Sequence, residues 1–200
     1  MKLLDEGIML ILSSPSGAGK TTITKKIQQK YHNFKISVSH TTRKPRPNEV
    51  EGVDYFFVSE EKFKQLIKEN KFYEYAKIFD NYYGTSKNFI KEAIAKKNDI
   101  LFDIDWQGTQ QLSKSKELKL IKIFILPPDK KELENRLTQR SQDNKETIQK
   151  RLSSYDKDIF HWHEYDYIII NDNLESCFQQ VEQIIKSNKE KIKISSQIAL

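Results

Sequence analysis

The stretch that decides the fold is Ser13-Ser14-Pro15-Ser16-Gly17-Ala18-Gly19-Lys20-Thr21-Thr22. Before it, residues 8–12 form an apolar run that predicts a buried strand, and residues 21–30 after it predict a helix. A phosphate-binding loop needs small residues here, because successive backbone N–H groups must converge on phosphate oxygens. The N-terminus of the following helix directs its positive dipole end at the same anion. The stretch therefore predicts a nucleotide-phosphate site in an α/β fold.

Within this loop, Lys20 is predicted to reach the β- and γ-phosphates of ATP, and Thr21 to supply a hydroxyl to Mg²⁺. The strict pattern has glycine where Ser14 stands, at the loop entrance, whereas Gly17 and Gly19 are present. The loop alone is compatible with an ATPase, a GTPase or a kinase. The residues predicted to bind ATP are Ser14, Pro15, Ser16, Gly17, Ala18, Gly19, Lys20, Thr21 and Thr22.

Apolar runs alternate with helical patterns along the rest of the chain, as in a parallel sheet built from βαβ units. Further buried strands are predicted at 99–105, 122–126 and 167–170, and helices at 107–115, 129–139, 146–160 and 174–187. Residues 36–90 break this rhythm, with short strands at 55–58 and 72–78 and a helix at 60–69. We expect a P-loop NTPase-type parallel β-sheet core flanked by helices, with a small α+β insertion and a helical lid. The expected parts are a core of residues 1–35 and 91–187, the insertion 36–90, the lid region 136–151 and a fraying tail 188–200.

Composition limits the class of protein. The 200 residues carry 34 Lys and Arg against 28 Asp and Glu, a formal charge of +6. Acidic residues are interleaved with the basic ones and no nucleic-acid-binding motif is present, so the surplus positive charge fits a site for two polyanionic small molecules better. The single cysteine, Cys177, excludes a disulfide within this chain. With no apolar run near 18 residues and no signal peptide pattern, we expect a cytoplasmic protein without membrane contact.

Two further groups of charged residues stand out. Arg43 and Arg46 lie three apart on a segment stiffened by two prolines, which suits a clamp for a phosphate dianion, although such a segment can also be a plain basic loop. Asp103 and Asp105 lie two apart on a predicted buried strand, so their side chains are expected on the same face. Paired carboxylates there suit water molecules around Mg²⁺ or the phosphate acceptor.

These motifs, taken together, resemble the guanylate kinase family from about residue 8 to about residue 185. Ser39-His40-Thr41-Thr42-Arg43-Lys44-Pro45-Arg46 is followed by Glu49, Gly52, Asp54-Tyr55 and Phe57 at the family's spacing. The segments that continue the resemblance in register are Phe72-Tyr73-Glu74-Tyr75-Ala76, Asn81-Tyr82-Tyr83-Gly84-Thr85, Asp103-Ile104-Asp105, Gln107-Gly108, Arg136, Arg140 and Lys150-Arg151-Leu152. Thr85 stands where serine is more usual, and it keeps the hydroxyl.

The resemblance implies an ATP-dependent kinase that phosphorylates GMP and dGMP in purine nucleotide metabolism, with Mg²⁺ and without an obligate protein partner. It implies that residues 36–90 bind GMP. It assigns the GMP phosphate to Ser39, Arg43, Arg46, Tyr55 and Tyr83, and the guanine to Glu74, Thr85 and Asp105. The implied catalytic residues are Lys20, Arg43, Arg136, Arg140 and Arg151, and the implied metal-site residues are Thr21 and Asp103.

The chemistry of guanine agrees with this assignment. Its pairing edge offers an acceptor O6 and the donors N1–H and N2–H₂, which match a hydroxyl and an ionised carboxylate such as Thr85 and Glu74. We expect residues 139–146 to form a mobile flap, with Arg140 and Arg151 remote from the phosphate loop in an open form. Trp106 and the histidines other than His40 are interpreted as structural.

Three alternatives stay open at this point. A phosphopeptide-binding module related to guanylate kinases usually loses the loop glycines and lysine, which are present here. A kinase for another phosphorylated acceptor, such as a ribose bisphosphate, would not need Glu74 with Thr85. A nucleic-acid-binding NTPase would be expected to carry a basic stripe or helicase motifs, and this chain has neither.

Overall fold

A computed structural model of the protein describes residues 7–78, 80–139 and 145–198; within the last helix, the side chains of residue 193 and of residues 195–198 are not described. The strands, in chain order, are β1 (Met9–Ser13), β2 (Phe34–Ile36), β3 (His40–Thr41), β4 (Phe56–Phe57), β5 (Phe72–Ile78), β6 (Asn81–Ser86), β7 (Asp99–Asp103), β8 (Leu120–Leu126) and β9 (Tyr167–Ile170). The helices are α1 (Lys20–Lys30), α2 (Glu60–Lys68), α3 (Lys87–Ala95), α4 (Trp106–Leu112), α5 (Lys130–Gln139), α6 (Lys145–Phe160) and α7 (Leu174–Ile198), with a 3₁₀ helix at His161–Glu164.

Five strands form a parallel sheet in the order β2-β7-β1-β8-β9, which confirms the predicted α/β core. Successive side chains of β1 point to opposite faces, as in any strand. Leu10 and Leu12 pack with Ile23 of α1 and Val181 of α7, whereas Ile11 packs on the other face, in the cluster that contains Ile90 of α3. Both faces are therefore covered by helices, as is general for parallel sheets.

The remaining strands form a second sheet in the order β4-β3-β6-β5. Strands β5 and β6 pair antiparallel, as do β3 and β6, while β3 and β4 run parallel. Helix α2 begins after Ser59, whose side chain accepts a hydrogen bond from the Lys62 amide, and the buried Phe63 of α2 stacks on Phe72. This small α+β unit lies within the predicted insertion.

The structure corrects two sequence predictions about element ends. The buried strand predicted at 99–105 ends at Asp103, and Asp105 instead caps α4 by accepting the Gly108 amide at 3.0 Å. Helix α7 does not end near residue 187 but continues to Ile198. Its extension keeps an apolar contact, because Ile192 packs against the core cluster, and Lys189 forms an ion pair with Asp99 at the start of β7.

Strand β2 and the pairing of β3 were not predicted, since both segments are short and carry no clear alternation. Phe34 of β2 pairs with Asp99 and is fully buried. Within the described residues, no helix is both long enough and apolar enough to cross a membrane.

Candidate active site

The phosphate loop has a conformation that depends on its two glycines. Gly17 and Gly19 have φ values of 97° and 101°, in the left-handed region that side chains with a Cβ rarely adopt. A Cβ on Gly19 would also lie 2.3 Å from Nδ2 of Asn171, which donates a hydrogen bond to the Ala18 carbonyl at 2.8 Å. Ser14 does not have a positive φ, and its hydroxyl donates to the Pro15 carbonyl, so the backbone does not require glycine at this entrance position.

A cavity of about 700 Å³ lies between the phosphate loop, the small sheet and α6. It brings together most of the residues that the sequence pointed to. The predicted residues that line it are Ser14, Pro15, Ser16, Gly17, Gly19, Lys20, Thr21, Ser39, Arg43, Arg46, Tyr55, Glu74, Tyr83, Asp103, Asp105 and Arg151. The predicted residues that do not line it are Ala18, Thr22, Thr85 and Arg136. Ala18 and Thr85 are buried directly behind lining residues.

Lys20 is the first residue of α1, so the loop geometry directs its side chain into the cavity. Its ammonium group forms an ion pair with Asp103 at the end of β7. The Thr24 hydroxyl donates to the same carboxylate at 3.4 Å, and Thr21 lines the cavity beside them. The sequence prediction that Asp103 and Asp105 share one strand face is wrong, yet both carboxylates reach the cavity because the chain turns into α4 between them.

Arg43 is held in place by Glu49, a residue that the resemblance placed in the motif without a role. Nη2 of Arg43 donates to both Glu49 oxygens at 2.8 and 3.0 Å, and the Arg46 amide donates to Glu49 at 2.8 Å. Burial acts to raise the pKa of Glu49, but the hydrogen bonds from Arg43 and from the Arg46 amide outweigh it and leave the pKa below its usual range. The guanidinium of Arg43 lies 5.3 Å from the ring centre of Tyr55, which meets Tyr83 edge-on.

Two carboxylates of the cavity lining lie close together, Glu74 on β5 and Asp105 before α4. Glu74 is only 4% exposed and lies opposite Thr85 in the β5–β6 ladder. Burial raises the pKa of Glu74 to about 7; the facing Thr85 hydroxyl and amide oppose this rise, and the nearby Asp105 adds to it. The Thr85 hydroxyl is fully buried without a hydrogen bond of normal geometry to any described residue. The described residues therefore do not use this hydroxyl in a regular hydrogen bond, although Thr85 does not itself line the cavity.

The surroundings of Asp105 also raise its pKa above the usual value. Burial raises its pKa, while hydrogen bonds from the Gly108 amide and the Gln107 side chain lower it. Gly108 packs so closely on Glu74 that a Cβ there would lie 2.7 Å from Oε2. The first turn of α4 therefore packs directly against Glu74 and forms one wall of this part of the cavity.

Two of the three predicted lid arginines, Arg136 and Arg151, lie in the described residues. Nη1 of Arg151, on α6, donates to the Ser16 hydroxyl at 3.1 Å, so the prediction that Arg151 lies remote from the phosphate loop is wrong for this structure. The reason is that α6 passes directly beside the loop, where Ser16 offers an acceptor. Arg136 donates to Glu132 and to the Asn171 carbonyl and does not line the cavity. Arg140 and most of the predicted flap 139–146 lie outside the described residues.

Four residues with polar contacts at the site had been given no functional role from the sequence. Glu49 and Asn171 support the arginine clamp and the phosphate loop, as described above. Trp106 and Asp158 lie on α4 and α6 and also line the cavity, with the indole Nε1 donating to the Asp158 carboxylate at 3.2 Å. Asn171 and Asp158 are far from the loop motifs in sequence, so no local pattern could have indicated their contacts.

Comparison with known proteins gives a consistent result. Residues 7–188 match the model of the protein family described as guanylate kinase. A protein named guanylate kinase from Rickettsia prowazekii (strain Madrid E) is 46% identical over 191 residues, covering 96% of this chain and 96% of the relative. One from Wolbachia pipientis wMel is 46% identical over 193 residues, covering 96% and 95% of the two chains. The crystal structure of guanylate kinase from Anaplasma phagocytophilum is similar with a TM-score of 0.77 at 33% identity, covering 92% of this chain and 87% of that one.

Proposed function

The chain belongs to the guanylate kinase family and catalyses ATP-dependent phosphorylation of GMP to GDP, and from this premise we propose how its residues divide the reaction. The observation that carries the proposal is the single cavity, which has the phosphate loop at one side and Glu74 at the other. A donor on the loop and an acceptor against Glu74 would share that cavity. Phosphoryl transfer needs this proximity, together with positive charge around the transferred group, and no covalent nucleophile.

We propose that the backbone of residues 14–19 holds the ATP phosphates and that Lys20 supplies charge to the β- and γ-phosphates. The ion pair with Asp103 keeps the Lys20 ammonium at the cavity wall. Arg151 adds a second positive charge beside Ser16. Because a guanidinium can donate two parallel hydrogen bonds, its contribution is largest when the transferred group carries developing charge on several oxygens.

On the acceptor side, we propose that Arg43, Arg46, Tyr55, Tyr83 and Ser39 bind the phosphate of GMP. The Glu49 pair supports this role, since it fixes the Arg43 guanidinium before any ligand arrives and so reduces the entropy lost on binding. dGMP is proposed as a second acceptor, because the proposed contacts are to the phosphate and the base, which GMP and dGMP share.

Selection of guanine is proposed to rest on Glu74 and Thr85, with Asp105 nearby. An ionised Glu74 accepts from N1–H and N2–H₂, and the Thr85 hydroxyl, which lacks a regular hydrogen bond within the described chain, can donate to O6. Adenine would direct its acceptor N1 at the carboxylate and leave buried polar groups unpaired, which can reject the wrong base by about 10⁴-fold or more.

We propose that Mg²⁺ is the metal and that Thr21 and Asp103, which both line the cavity, form its site. Within the described residues, no group of three or more His, Cys, Asp and Glu side chains could hold a metal. That fits Mg²⁺, which keeps several waters and uses one or two carboxylates together with substrate phosphates. When bound, it would neutralise charge on the phosphates. Asp103, already beside Lys20, would hold its water molecules, and the Thr21 hydroxyl would ligate it directly.

The experiment that tests the proposal is a coupled assay of ADP release with ATP and each of GMP, dGMP, AMP, CMP, UMP and dTMP, with and without Mg²⁺. We expect turnover only with the two guanine nucleotides and only with Mg²⁺. Equal turnover with AMP or UMP would contradict the assignment of Glu74 and Thr85 to guanine. No turnover with any monophosphate would favour a phosphopeptide-binding module.

We further propose that the reaction takes place in the cytoplasm, where ATP and GMP are available, and that residues 36–90 act as the GMP-binding part beside the core. The core boundaries 1–35 and 91–187 and the lid region 136–151 remain part of this proposal. The separate tail 188–200 does not, because α7 continues to Ile198. Fractionation of cells that express the tagged chain, with ADP release measured in each fraction, would test the location.

A further inference from the structure

Trp106 sits in an enclosure formed by one end of α6. Its ring stacks on His161 with centroids 3.7 Å apart and planes at 7°, and the Lys157 ammonium lies 5.2 Å from the indole centroid. The indole Nε1 donates to Oδ1 of Asp158 at 3.2 Å. A buried indole N–H usually finds a hydrogen-bond partner, so this bond alone fits the packing role that the sequence suggested. The ring stack with His161 and the contact with Lys157 add to it, and together the three contacts fix the orientation of Trp106.

The partners of Trp106 are themselves fixed. The Ser154 hydroxyl donates to the second oxygen of Asp158 at 3.2 Å, and His161 Nδ1 lies 2.6 Å from Glu164. Gln110 of α4 donates to the same Glu164 carboxylate at 2.9 Å. Helix α4 is thus attached to the end of α6 and to the 3₁₀ helix by two hydrogen-bonded connections and one ring stack.

The two helices joined by these contacts, α4 and α6, border different parts of the cavity. Trp106 directly follows Asp105, and Gly108 in the same turn packs on Glu74, so α4 carries the wall of the base pocket. Asp158 lies seven residues after Arg151, two turns of helix, which places both side chains on one face of α6. Both line the cavity, and Arg151 contacts Ser16 in the phosphate loop.

We propose that Trp106 and Asp158 are positioning residues that couple the base pocket to Arg151, so that occupation of one substrate site favours the productive arrangement of the other. This inference rests on the proposed function of the cavity. The indole N–H bond transmits the position of α4 to α6, because a change in either helix stretches it. The residues act through Asp105 and Arg151 and do not themselves touch the transferred phosphoryl group.

The electrostatic setting of Asp158 agrees with this role. Burial raises its pKa to about 6, and the charge of Asp105 adds to the rise, while the bonds from Ser154 and Trp106 and the charge of Lys157 oppose it. Near neutral pH the carboxylate is therefore ionised, and its hydrogen bond from the indole is charge-assisted, which makes it stronger than a neutral one.

Three variants test the bond. Trp106→Phe keeps an aromatic ring for the His161 stack but has no N–H, Asp158→Ala removes the acceptor, and the third variant combines both changes. We expect each single change to lower kcat about 10- to 150-fold, the effect of losing one charge-assisted hydrogen bond, with KM for ATP within about twofold. The double variant should match the single ones, because both changes remove the same bond.

A matched control lies on the same helix. Asp156→Ala breaks an exposed ion pair with Lys130 of α5, and Asp156 does not line the cavity. We expect its kcat to equal that of the unaltered protein. Melting curves of all variants separate a loss of folding from a loss of coupling.

The decisive readout is the affinity for GMP, measured by calorimetry with and without a non-hydrolysable ATP analogue. In the unaltered protein and in Asp156→Ala, the analogue should tighten GMP binding, and this factor should shrink toward one in Trp106→Phe and Asp158→Ala. An unchanged factor in folded variants, or additive losses of kcat in the double variant, would overturn the inference. Failure of the proposed function looks different, because the unaltered protein would then bind or turn over no GMP at all.

Discussion

Arg43 and Glu49 form a bidentate pair at the edge of the cavity, with Nη2 of the arginine 2.8 and 3.0 Å from the two carboxylate oxygens. The pair is six residues apart in sequence and encloses the prolines of the clamp. Since Glu49 also accepts the Arg46 amide, one carboxylate organises both arginines of the clamp. Glu49 itself does not line the cavity. It therefore affects the proposed phosphate site indirectly, by orienting Arg43 and Arg46.

This geometry makes Glu49→Gln informative, because two physical effects oppose each other. Loss of the negative charge would strengthen attraction of the clamp for phosphate, whereas loss of the bidentate pair would leave Arg43 less well oriented. We expect orientation to dominate, raising KM for GMP by about 5-fold, as for the loss of one hydrogen bond. KM for ATP should stay unchanged. Glu51→Gln, which alters a neighbouring carboxylate that accepts the Phe57 amide, is the control. Tighter GMP binding in Glu49→Gln would identify Glu49 as a competitor of the phosphate instead.

Lys20 is expected to act mainly on the transition state. Lys20→Met removes the charge and leaves Asp103 with the Thr24 hydroxyl as partner, so the fold should persist with a similar melting temperature. We expect kcat to fall by roughly 10³-fold, the upper range for one preorganised donor. Lys26→Met is the control, since Lys26 lies on the same helix but pairs with Glu175 outside the cavity. A near-normal kcat in a folded Lys20→Met protein would remove Lys20 from the phosphate site.

The buried Glu74 predicts a pH dependence of GMP recognition. Its pKa is raised to about 7, so the carboxylate is ionised above that pH and protonated below it. Only the ionised form accepts from both N1–H and N2–H₂ of guanine. KM for GMP should therefore rise as pH falls through 7, by roughly 10-fold between pH 8 and pH 6, following the ionised fraction.

The phosphate of GMP also titrates in this range, with a second pKa near 6 for phosphate monoesters. Glu74→Gln separates the two effects, because glutamine does not titrate. This variant should have a KM at pH 8 at least about 10-fold above that of the unaltered protein. Any pH dependence it retains belongs to the phosphate. If the unaltered protein and Glu74→Gln have parallel pH profiles, the carboxylate does not recognise the base through its ionised form.

Local patterns explain why parts of this structure were predictable. Strand β5 (Phe72–Ile78) alternates buried and exposed side chains, and β9 (Tyr167–Ile170) is a short apolar run, so both were predicted with their observed bounds. The phosphate loop is recognisable in the sequence because its conformation depends on Gly17 and Gly19, which lie close together in one short segment. The end of α7 was mispredicted because residues 188–198 are mostly polar. Their sequence does not show that Ile192 packs against the core or that Lys189 pairs with Asp99.

The contacts that the sequence could not reveal join residues far apart along the chain. Asn171 supports the Ala18 carbonyl and Asp158 accepts the Trp106 indole, across more than fifty residues in each case. Such pairs form only when the sheet order places β9 one strand away from β1, across β8, and when α6 packs beside α4. A single sequence contains the residue types but not the order of the strands. The motifs of the site could therefore be predicted, whereas the long-range contacts that hold them in place could not.

Arg151 donates a hydrogen bond to Ser16 in the phosphate loop. Arg151→Ala should lower kcat by about 10²-fold or more, because its fork of donors is worth most on the developing charge of the transferred group. KM for GMP should change little, since the Arg43 and Arg46 clamp is separate. Arg151→Lys keeps the charge without the fork of donors, and its kcat should lie between those of Arg151→Ala and the unaltered protein.

Ser16→Ala separates positioning of Arg151 from its charge, because it removes only the hydroxyl that Arg151 contacts at 3.1 Å. We expect a loss in kcat of about 5-fold for this variant, in line with one neutral partner removed. Single-turnover kinetics with saturating ATP and GMP measure the chemical step directly. A chemical step in Arg151→Ala equal to that of the unaltered protein would show that the Ser16 contact is structural. Arg140 would then be the next arginine to test for the charge on the transferred phosphoryl group.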